Sequence, residues 1–496
     1  MSKTFSIGHL TYQTIDDSRC RVTGCETDCK AVVIPAQVER EQHAYAVCQV
    51  DGRAFNRCCS LEAIEAEAGS DHFSHCDGVL YDKAFTTLVR CPVENALRLP
   101  LPHPVRRIAA YAFWGCQSVN MRYLALPHGV EEIGDYAFCS PVVQSIVLPE
   151  GVRRLGDHAF DHAGNLMEIA LPDSLEETRP EAFALNGGLP AECRIVLSPH
   201  HPTLRYVDGA LVTHGGDLVA VTEAMTIPTD ATYQIAIPEG VKRIPAGALR
   251  NCSWLQQLIL PQSLAYIDSM AFADLYGCER IAIRRKITSA KPISGDEEMA
   301  EIEACAIRDH EENEHFATQH GVLYDKRMTT LLFCPPLRGS DLIVPEGVER
   351  IADTAFYVDG EMSNTVRNVF LPSTMKEISH ATFAHCRLED IFISAHNPRY
   401  SASDGCIYNK DGSVFIDCTD SRWRHPLTLP PTLRHLDIYP YLCEDITLLA
   451  TTPPTVGENP YNATGCTLHV PRLSMATYEK SEWRNIAKHI VAITEA

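Results

Sequence analysis

One motif recurs along this chain and limits the fold more than any other feature of the sequence. It has the form L-x-L-P-x-x-V-x-x-I-x-x-x-A-F, and its proline recurs at Pro102, Pro127, Pro149, Pro172, Pro238, Pro261, Pro345 and Pro372. Copies that follow one another directly are 22 to 27 residues apart. A period of this length indicates that each copy is one small structural unit, which cannot bury its apolar side alone and stacks on its neighbours.

The apolar positions of the motif predict the structure of one unit. Three, six and eleven residues after each proline, every residue is apolar except Thr178. We predict one short strand per repeat, stacked in parallel with its neighbours, whose apolar side chains point into a shared core. Proline suits the end of such a strand because it has no N–H group to leave unpaired. The Ala-Phe pair is expected to stack on its equivalents and form an aromatic ladder.

This proline-led pattern resembles the BspA-like subclass of leucine-rich repeats, a class with a period of about 20–29 residues. The end of the chain is also similar to the usual terminal segment of that family, over Thr452–Pro454, Thr467–Pro471 and Tyr478–Trp483. The resemblance implies a right-handed leucine-rich repeat solenoid that is mainly β, with parallel strands on one face and an irregular or short helical convex side. It also implies a role in binding or adhesion, often at a cell surface. It carries over no catalytic residue, because members of the family lack a shared catalytic site.

Four longer gaps between prolines each contain a tight turn followed by alternating apolar residues. The turns are Asp77-Gly78, Asp208-Gly209, His320-Gly321 and Asp404-Gly405. They predict four β-hairpin or meander inserts, near residues 72–92, 197–222, 308–336 and 397–420. Whether the inserts stiffen the solenoid or project from it stays open. Residues 72–113 align without a gap with 315–356, which indicates that an insert and the repeat after it were duplicated as one structural module.

The ends of the chain are interpreted as caps of the repeat array, since open ends must be covered. We predict N-terminal capping strands in 1–31, the solenoid with its inserts in 32–473, and a C-terminal capping helix and tail in 474–496. Ser474 is expected to be the N-cap of that helix, with Lys488 and His489 in its last turn. A partner-binding helix is the alternative for this segment.

Charge and composition exclude several classes of partner. The formal net charge is −21, which argues against nucleic acid and against an anionic membrane surface. Residues 1–16 lack the apolar segment of a secretory leader, and no apolar run is long enough to span a membrane. The expected location is therefore cytoplasmic, and the family resemblance implies the alternative of a cell-surface or secreted protein.

The 20 cysteines of the chain invite a metal or redox interpretation, but most follow the repeat. Cys58, Cys116, Cys252 and Cys386 each stand three residues after the final apolar residue of a motif, where a free cysteine acts as a small buried apolar side chain. The N-terminal group Cys20, Cys25 and Cys29 has a spacing that does not match paired zinc ligands. His200 and His201 are adjacent, and adjacent histidines rarely bind one metal ion unaided. We therefore predict no metal ligand and no cofactor.

The positions that could bind a partner are the strand residues two and four before each proline, because they alternate with the core positions and should face solvent. The apolar members are Val147, Ile259, Ile343 and Phe370. The other candidates are Tyr123, Glu168, Gln234, Gln257, Asp341 and Asn368. The alternative is that β-branched and aromatic side chains stand there only because they suit a strand.

No motif of a hydrolase, metalloprotease or nucleotide-binding protein is present, so no catalytic residue is predicted. The leading hypothesis is a non-enzymatic scaffold that recognises another protein through its concave strand face and its inserts. Carbohydrate recognition, with Tyr123 and Phe370 stacking on sugar rings, is the second hypothesis. A zinc-binding or hydrolytic protein is the third. The acidic stretch 296–314 is a solvated segment or a docking site for a basic partner, and the oligomeric state stays open.

Overall fold

The computed structural model describes residues 2–94, 104–116, 122–139, 143–161, 163, 165–176, 178, 180–183, 193–221, 226–229, 232–249, 252, 255–273, 275–284, 310–357, 364–378, 382–383, 388–419, 425–438, 443–458 and 465–493. Pro102, Cys386 and residues 296–309 of the acidic stretch lie outside these ranges. The chain forms two compact units. Unit 1 contains Met1–Pro228, Gln234–Ser253 and Tyr266–Ala271, and unit 2 contains Thr229–Tyr233, Trp254–Ala265 and Phe272–Ala496.

Strands dominate the described residues. The first half of the chain contains β1 (Thr4–Ile7), β2 (Leu10–Thr14), β3 (Arg19–Cys25), β4 (Ala31–Ile34), β5 (Gln37–Arg40), β6 (His43–Val50), β7 (Ala63–Ala66), β8 (Phe73–Cys76), β9 (Val79–Asp82), β10 (Thr87–Arg90), β11 (Arg107–Ile108), β12 (Tyr123–Ala125), β13 (Glu132–Ile133), β14 (Ser145–Val147), β15 (Arg154–Leu155), β16 (Glu168–Ala170), β17 (Arg194–Val196), β18 (Leu204–Val207), β19 (Ala210–Thr213), β20 (Leu218–Val221), β21 (Thr226–Thr229), β22 (Thr232–Ala236) and β23 (Arg243–Ile244).

The rest of the chain contains β24 (Gln257–Leu260), β25 (Tyr266–Ile267), β26 (Arg280–Ile283), β27 (His310–Glu312), β28 (Phe316–Gln319), β29 (Val322–Asp325), β30 (Thr330–Phe333), β31 (Asp341–Ile343), β32 (Arg350–Ile351), β33 (Asn368–Leu371), β34 (Asp390–Ile393), β35 (Tyr400–Ser403), β36 (Cys406–Asn409), β37 (Val414–Cys418), β38 (Leu427–Leu429), β39 (His435–Ile438), β40 (Asp445–Leu448), β41 (Thr455–Glu458), β42 (Thr467–Val470) and β43 (His489–Ala492). The helices of the described residues are short: 3-10 turns at Pro180–Phe183 and Arg472–Ser474, and α-helices α1 (Met475–Tyr478) and α2 (Trp483–Ile486).

In unit 1, the repeats at Pro127 and Pro149 each contribute two strands rather than the single strand that the pattern predicts. The strand before the repeat proline joins a parallel sheet in the order β12-β14-β16-β17, and the apolar residue at its centre is buried, as Leu124 and Ile146 are. A two-residue strand after the proline joins a second parallel sheet through β11, β13 and β15. The chain turns between them where the carbonyl of the proline accepts the N–H three residues on, as at Pro127 and Val130. The motif thus encodes both sheets and the corner between them.

The aromatic ladder that the Ala-Phe pairs predict is confirmed in unit 1. The rings of Phe113, Phe138, Phe160 and Phe183 are stacked nearly parallel, with successive centroids 5.1, 5.6 and 5.9 Å apart. The backbone N–H of Phe138 donates to the carbonyl of Ala159 at 2.7 Å, so the ladder also has its own row of hydrogen bonds between repeats. The stacked rings and the row of backbone hydrogen bonds keep the Ala-Phe segments of successive repeats in register.

The four inserts are antiparallel meanders that extend the second sheet. Their strands are β8-β9-β10, β18-β19-β20, β28-β29-β30 with β27 at the edge, and β35-β36-β37. In three of them the last strand pairs in parallel with the short strand of the following repeat, for example Thr87 with Arg107 and Thr330 with Arg350. In the remaining insert a single parallel bridge joins Asp217 and Arg243. The inserts are therefore continuous with the repeat sheets.

A buried polar residue stands at the start of each insert, and we call these four the insert-docking residues. None is more than 4% exposed, and each accepts a hydrogen bond from the backbone N–H three residues further on: Ser70, His201, Asn313 and Asn397. Three of them also donate to a carbonyl oxygen of the preceding proline turn. These donors are His201 Nε2 to Pro172 at 2.9 Å, Asn313 Nδ2 to Leu264 at 3.0 Å and Asn397 Nδ2 to Met375 at 2.9 Å. His201 is thus a structural hydrogen-bonding residue.

The C-terminal segment differs from the continuous helix predicted over residues 474–489. It forms the short helices α1 and α2, and then β43 adds to β42 in parallel, with Ile490 beside Leu468. Ser474 precedes α1 but makes no side-chain cap hydrogen bond, and His489 begins a strand instead of ending a helix. The backbone groups of an exposed sheet edge and the β-branched residues Ile490 and Val491 favour strand pairing over a longer helix.

Candidate interaction face

In unit 1, the outward side of the sheet β12-β14-β16-β17 carries two rows of side chains. One row runs through Tyr123, Ser145, Glu168 and Arg194, which are register partners on successive strands. The other is small or apolar and runs through Ala125, Val147, Ala170 and Val196. Tyr123 is 73% exposed and Val147 is 49% exposed, while Glu168 is half-buried. Both rows lie at the surface because only the alternate residues point into the core.

In unit 2, the sheet β31-β33-β34 presents an apolar row beside an acidic one. The apolar row consists of Ile343, Phe370 and Phe392, in register on the three strands, and we call it the aromatic row after its two phenylalanines. Ile343 is 70% exposed and Phe392 is 44% exposed. The rings of Phe370 and Phe392 stack with centroids 4.7 Å apart and planes at 10°. These side chains form a ridge that a large apolar group could contact directly.

The acidic row of unit 2 runs beside the aromatic row and consists of Asp341, Asn368 and Asp390. Asn368 Nδ2 donates to Asp341 Oδ1 at 2.8 Å, and Asp390 Oδ1 accepts the backbone N–H of Gly405 at 3.0 Å. This face of the sheet therefore combines two carboxylates, each held by a hydrogen bond, with the apolar ridge beside them.

Phe392 and Asp390 were missed because their repeat has no proline after the strand. Their signal was the period itself, since Phe392 stands 22 residues after Phe370.

Two candidate positions do not face solvent, so the expectation for them was wrong. Ile259 is 5% exposed and Gln234 is 7% exposed. Ile259 lies beside Ala282 of β26, and β26 contacts the insert strands β27, β28 and β29, so this sheet is covered on both sides. Gln234 and its neighbour Ile235 are both buried, so both faces of β22 are covered there. The remaining candidate on β24, Gln257, is half-buried.

The structure separates Cys20 from the other two N-terminal cysteines. Cys20 is fully buried and lies near Tyr12 and Cys48. Cys25 and Cys29 instead lie near Cys58, which follows Ala54-Phe55, the end of a degenerate first repeat that begins at Pro35. Beside them, the metal-ligating atoms of His9, Glu26 and Cys29 lie within 4.8 Å of one another, which makes them a candidate metal group among the described residues. No sequence spacing indicated His9 or Cys58 as members.

Among the described residues, no helix is both long and apolar enough to cross a membrane. The part of the acidic stretch that the structure describes includes Glu312, whose carboxylate pairs with Lys326 Nζ at 2.7 Å.

Comparison with known proteins identifies the repeat. The family model of the BspA type leucine rich repeat region matches six copies, over residues 89–189, 229–294 and 333–410, about half of the chain. The paired strands, the proline corner and the aromatic ladder are the structural form of those copies. The chain belongs to the BspA-type leucine-rich repeat family, and it folds as a leucine-rich repeat solenoid, which confirms the expectation drawn from the motif.

Solved structures of other proteins match this chain at low sequence identity and low TM-score. A leucine rich cell surface protein of Faecalibacterium prausnitzii A2-165 is 19% identical, over 79% of this chain and 95% of that one, with a TM-score of 0.40. The pneumococcal vaccine antigen PcpA is 14% identical over 99% of both chains, with a TM-score of 0.32. A leucine-rich repeat protein of Eubacterium ventriosum is 19% identical over 53% of this chain and 61% of that one, with a TM-score of 0.32. No curated protein sequence gives a significant match.

Proposed function

We propose that this protein is a non-enzymatic binding module that captures a protein partner on the outward face of unit 2. The observation that carries the proposal is the aromatic row on a parallel sheet, in which Ile343 and Phe392 are exposed and Phe370 between them is half-buried. Contiguous exposed apolar side chains tend to mark interaction sites, and aromatic residues often supply much of the binding energy at such sites.

The chemistry of the partner follows from the charges around this ridge. Asp341 and Asp390 flank the aromatic row, and the whole chain carries a formal net charge of −21. The matching partner is a protein segment that presents apolar side chains together with lysine or arginine. Complementary charge increases the association rate and selects against acidic partners.

Substitution of the exposed ridge tests this proposal directly. Wild-type protein is screened on an array of synthetic peptides that pair apolar with basic residues, and on charge-reversed copies of the same peptides. Burial of one large aliphatic or aromatic side chain contributes about 1.5–3 kcal/mol, so the double variant Ile343→Ser with Phe392→Ser should weaken binding at least roughly 10-fold. Val33→Ser is the matched control, because Val33 is also half exposed on a strand and lies in unit 1.

Two outcomes would contradict the proposal. Peptide binding that is unchanged in the double variant would show that the aromatic row is not the binding surface. Binding to a glycan array but to no peptide would favour carbohydrate recognition, for which the exposed side chains are Tyr123 and Phe392, the latter stacked on the half-buried ring of Phe370.

A cell-surface location is the second part of the proposal. The BspA-type repeat implies binding or adhesion, often at a cell surface, and this fits a binding module better than the cytoplasmic location expected from the N-terminal residues. Protease treatment of intact source cells, followed by antibody detection, should remove the protein. Full protection until the cells are lysed would contradict it.

A further inference from the structure

A cluster of soft metal-ligating side chains lies where the N-terminal sheet meets the first repeat of unit 1. His9 stands in the turn between β1 and β2, Cys25 ends β3, and Cys29 lies in the segment before β4. Cys58 belongs to the turn after the Ala-Phe pair of the first, degenerate repeat. Three separate segments of the chain therefore converge on one place.

The geometry of this cluster centres on three residues, since the metal-ligating atoms of His9, Glu26 and Cys29 lie within 4.8 Å of one another. The thiols of Cys25 and Cys58 are neighbours of Cys29. Cys58 Sγ lies 3.3 Å from the carbonyl oxygen of Glu26, and the backbone N–H of Glu26 donates to the carbonyl of His9 at 3.0 Å. His9 Nδ1 lies 2.5 Å from Glu26 Oε2. The backbone of Glu26, between Cys25 and Cys29, thus contacts both Cys58 and His9.

This donor set is the one that zinc prefers in closed structural sites. Three thiolates and one imidazole form a tetrahedral Cys3His site, and a carboxylate that hydrogen-bonds the histidine ring commonly orients such a ligand. Cys29 and Cys58 are buried, Cys25 is half-buried, and His9 and Glu26 are exposed, so an ion has an open path from solvent. A divalent ion binds such cysteines as thiolates.

A buried cation balances the charge that three thiolates would bring. Arg90 is almost fully buried, and its Nη2 donates to the carbonyl oxygen of Trp114 at 3.2 Å. Its guanidinium is close enough to Cys58 to interact with it electrostatically. Three thiolates with one zinc ion carry a net charge of −1, and a nearby guanidinium compensates it.

We propose that Cys25, Cys29, Cys58 and His9 bind one zinc ion, with Glu26 orienting the His9 ring. The ion joins the N-terminal sheet to the degenerate repeat that begins at Pro35 and so closes this end of the solenoid. Because the ligands come from three segments, the free energy of zinc binding also stabilises the folded arrangement of those segments. This site is independent of the proposed partner-binding face in unit 2.

Metal analysis of the full chain tests the proposal. Protein is purified under reducing conditions, its zinc content is measured, and zinc is then exchanged for Co²⁺ to record the thiolate charge-transfer absorption. We expect one zinc per chain, and for His9→Gln a zinc affinity at least roughly 10-fold weaker in chelator competition. His9→Gln is the decisive variant because His9 is exposed and its replacement leaves the core intact. Cys29→Ser should lose both the zinc and the cobalt absorption.

Matched controls separate the site from general cysteine and histidine effects. Cys48→Ser changes another cysteine of the same N-terminal sheet, and His43→Gln changes another exposed histidine of that sheet, so both variants should keep full zinc content and affinity. Zinc that is absent from the wild-type protein, or retained equally by His9→Gln and Cys29→Ser, would overturn the proposal. A disulfide between Cys25 and Cys58 in protein isolated without reductant, found by peptide mass spectrometry together with no zinc, would also overturn it.

Discussion

Asn397 is the position where a single side chain should decide whether an insert stays docked. It is fully buried at the start of the fourth insert. Its Nδ2 donates to the carbonyl oxygens of Met375 and Pro372, at 2.9 and 3.2 Å, and its Oδ1 accepts the N–H groups of Arg399 and Tyr400, at 2.8 and 2.9 Å. Asn397→Ala removes all four hydrogen bonds and leaves backbone groups buried without these partners.

The expected loss follows from these four bonds. A hydrogen bond contributes a net ~1 kcal/mol, and a buried group left unsatisfied costs about 1–3 kcal/mol. Because the carbonyl of Pro372 also accepts the N–H of Met375, part of the loss is compensated. We expect Asn397→Ala to destabilise the insert by about 2–4 kcal/mol. Asn397→His is the matched control, since His201 fills the equivalent position of the second insert, and it should cost about 1 kcal/mol by losing one donated bond.

Native-state hydrogen exchange of the amides in β35, β36 and β37 is the suitable assay, because long repeat arrays need not unfold in one step and exchange measures local opening. A loss of about 2–4 kcal/mol corresponds to exchange roughly 30- to 1,000-fold faster in Asn397→Ala. The same amides in Asn397→His should exchange only about five- to tenfold faster. Equal exchange rates in the two variants would refute the conclusion that these hydrogen bonds hold the insert in place.

Three further predictions concern the core of unit 1. Phe138→Ala should lower the free energy of unfolding by about 3–5 kcal/mol in thermal denaturation, because it removes the central ring of the aromatic ladder, and a loss below about 1 kcal/mol would contradict the ladder's role. Gly156→Ala should also lower the free energy of unfolding, by about 1–3 kcal/mol or more, since a Cβ there would lie 2.4 Å from the backbone nitrogen of Asp135. As a control in the same assay, Gly24→Ala should be near neutral, because its Cβ would meet nothing closer than 3.5 Å. Burial raises the pKa of Cys193 from 9.0 to about 12, so its thiol should resist iodoacetamide at pH 8 while the exposed Cys59 reacts; equal alkylation of both cysteines, measured by mass spectrometry, would contradict this. The free energy of unfolding should also fall as the pH rises from about 9 towards 12, because only the unfolded chain then loses this proton.

The outward face shows both the reach and the limit of pattern-based prediction. Ile343 and Tyr123 lie at the surface, as the alternation of strand residues requires. The same alternation placed Ile259 at the surface, but the third insert packs against the neighbouring strand β26. Alternation tells which face of a strand a residue occupies, but it does not tell whether another part of the chain packs against that face.

The sequence by itself determined the repeat, its period, the residues of its core and the aromatic ladder, because contacts between successive repeats link positions at a fixed spacing. The position of each insert was also readable from its Gly-containing turn. The tertiary structure decided the features that depend on contacts without fixed spacing. Pairing at a sheet edge made residues 489–492 a strand, although helical spacing favoured a helix there. Only the folded chain brings His9 and Cys58 to Cys25 and Cys29, since strand pairing and the first repeat determine which distant residues meet.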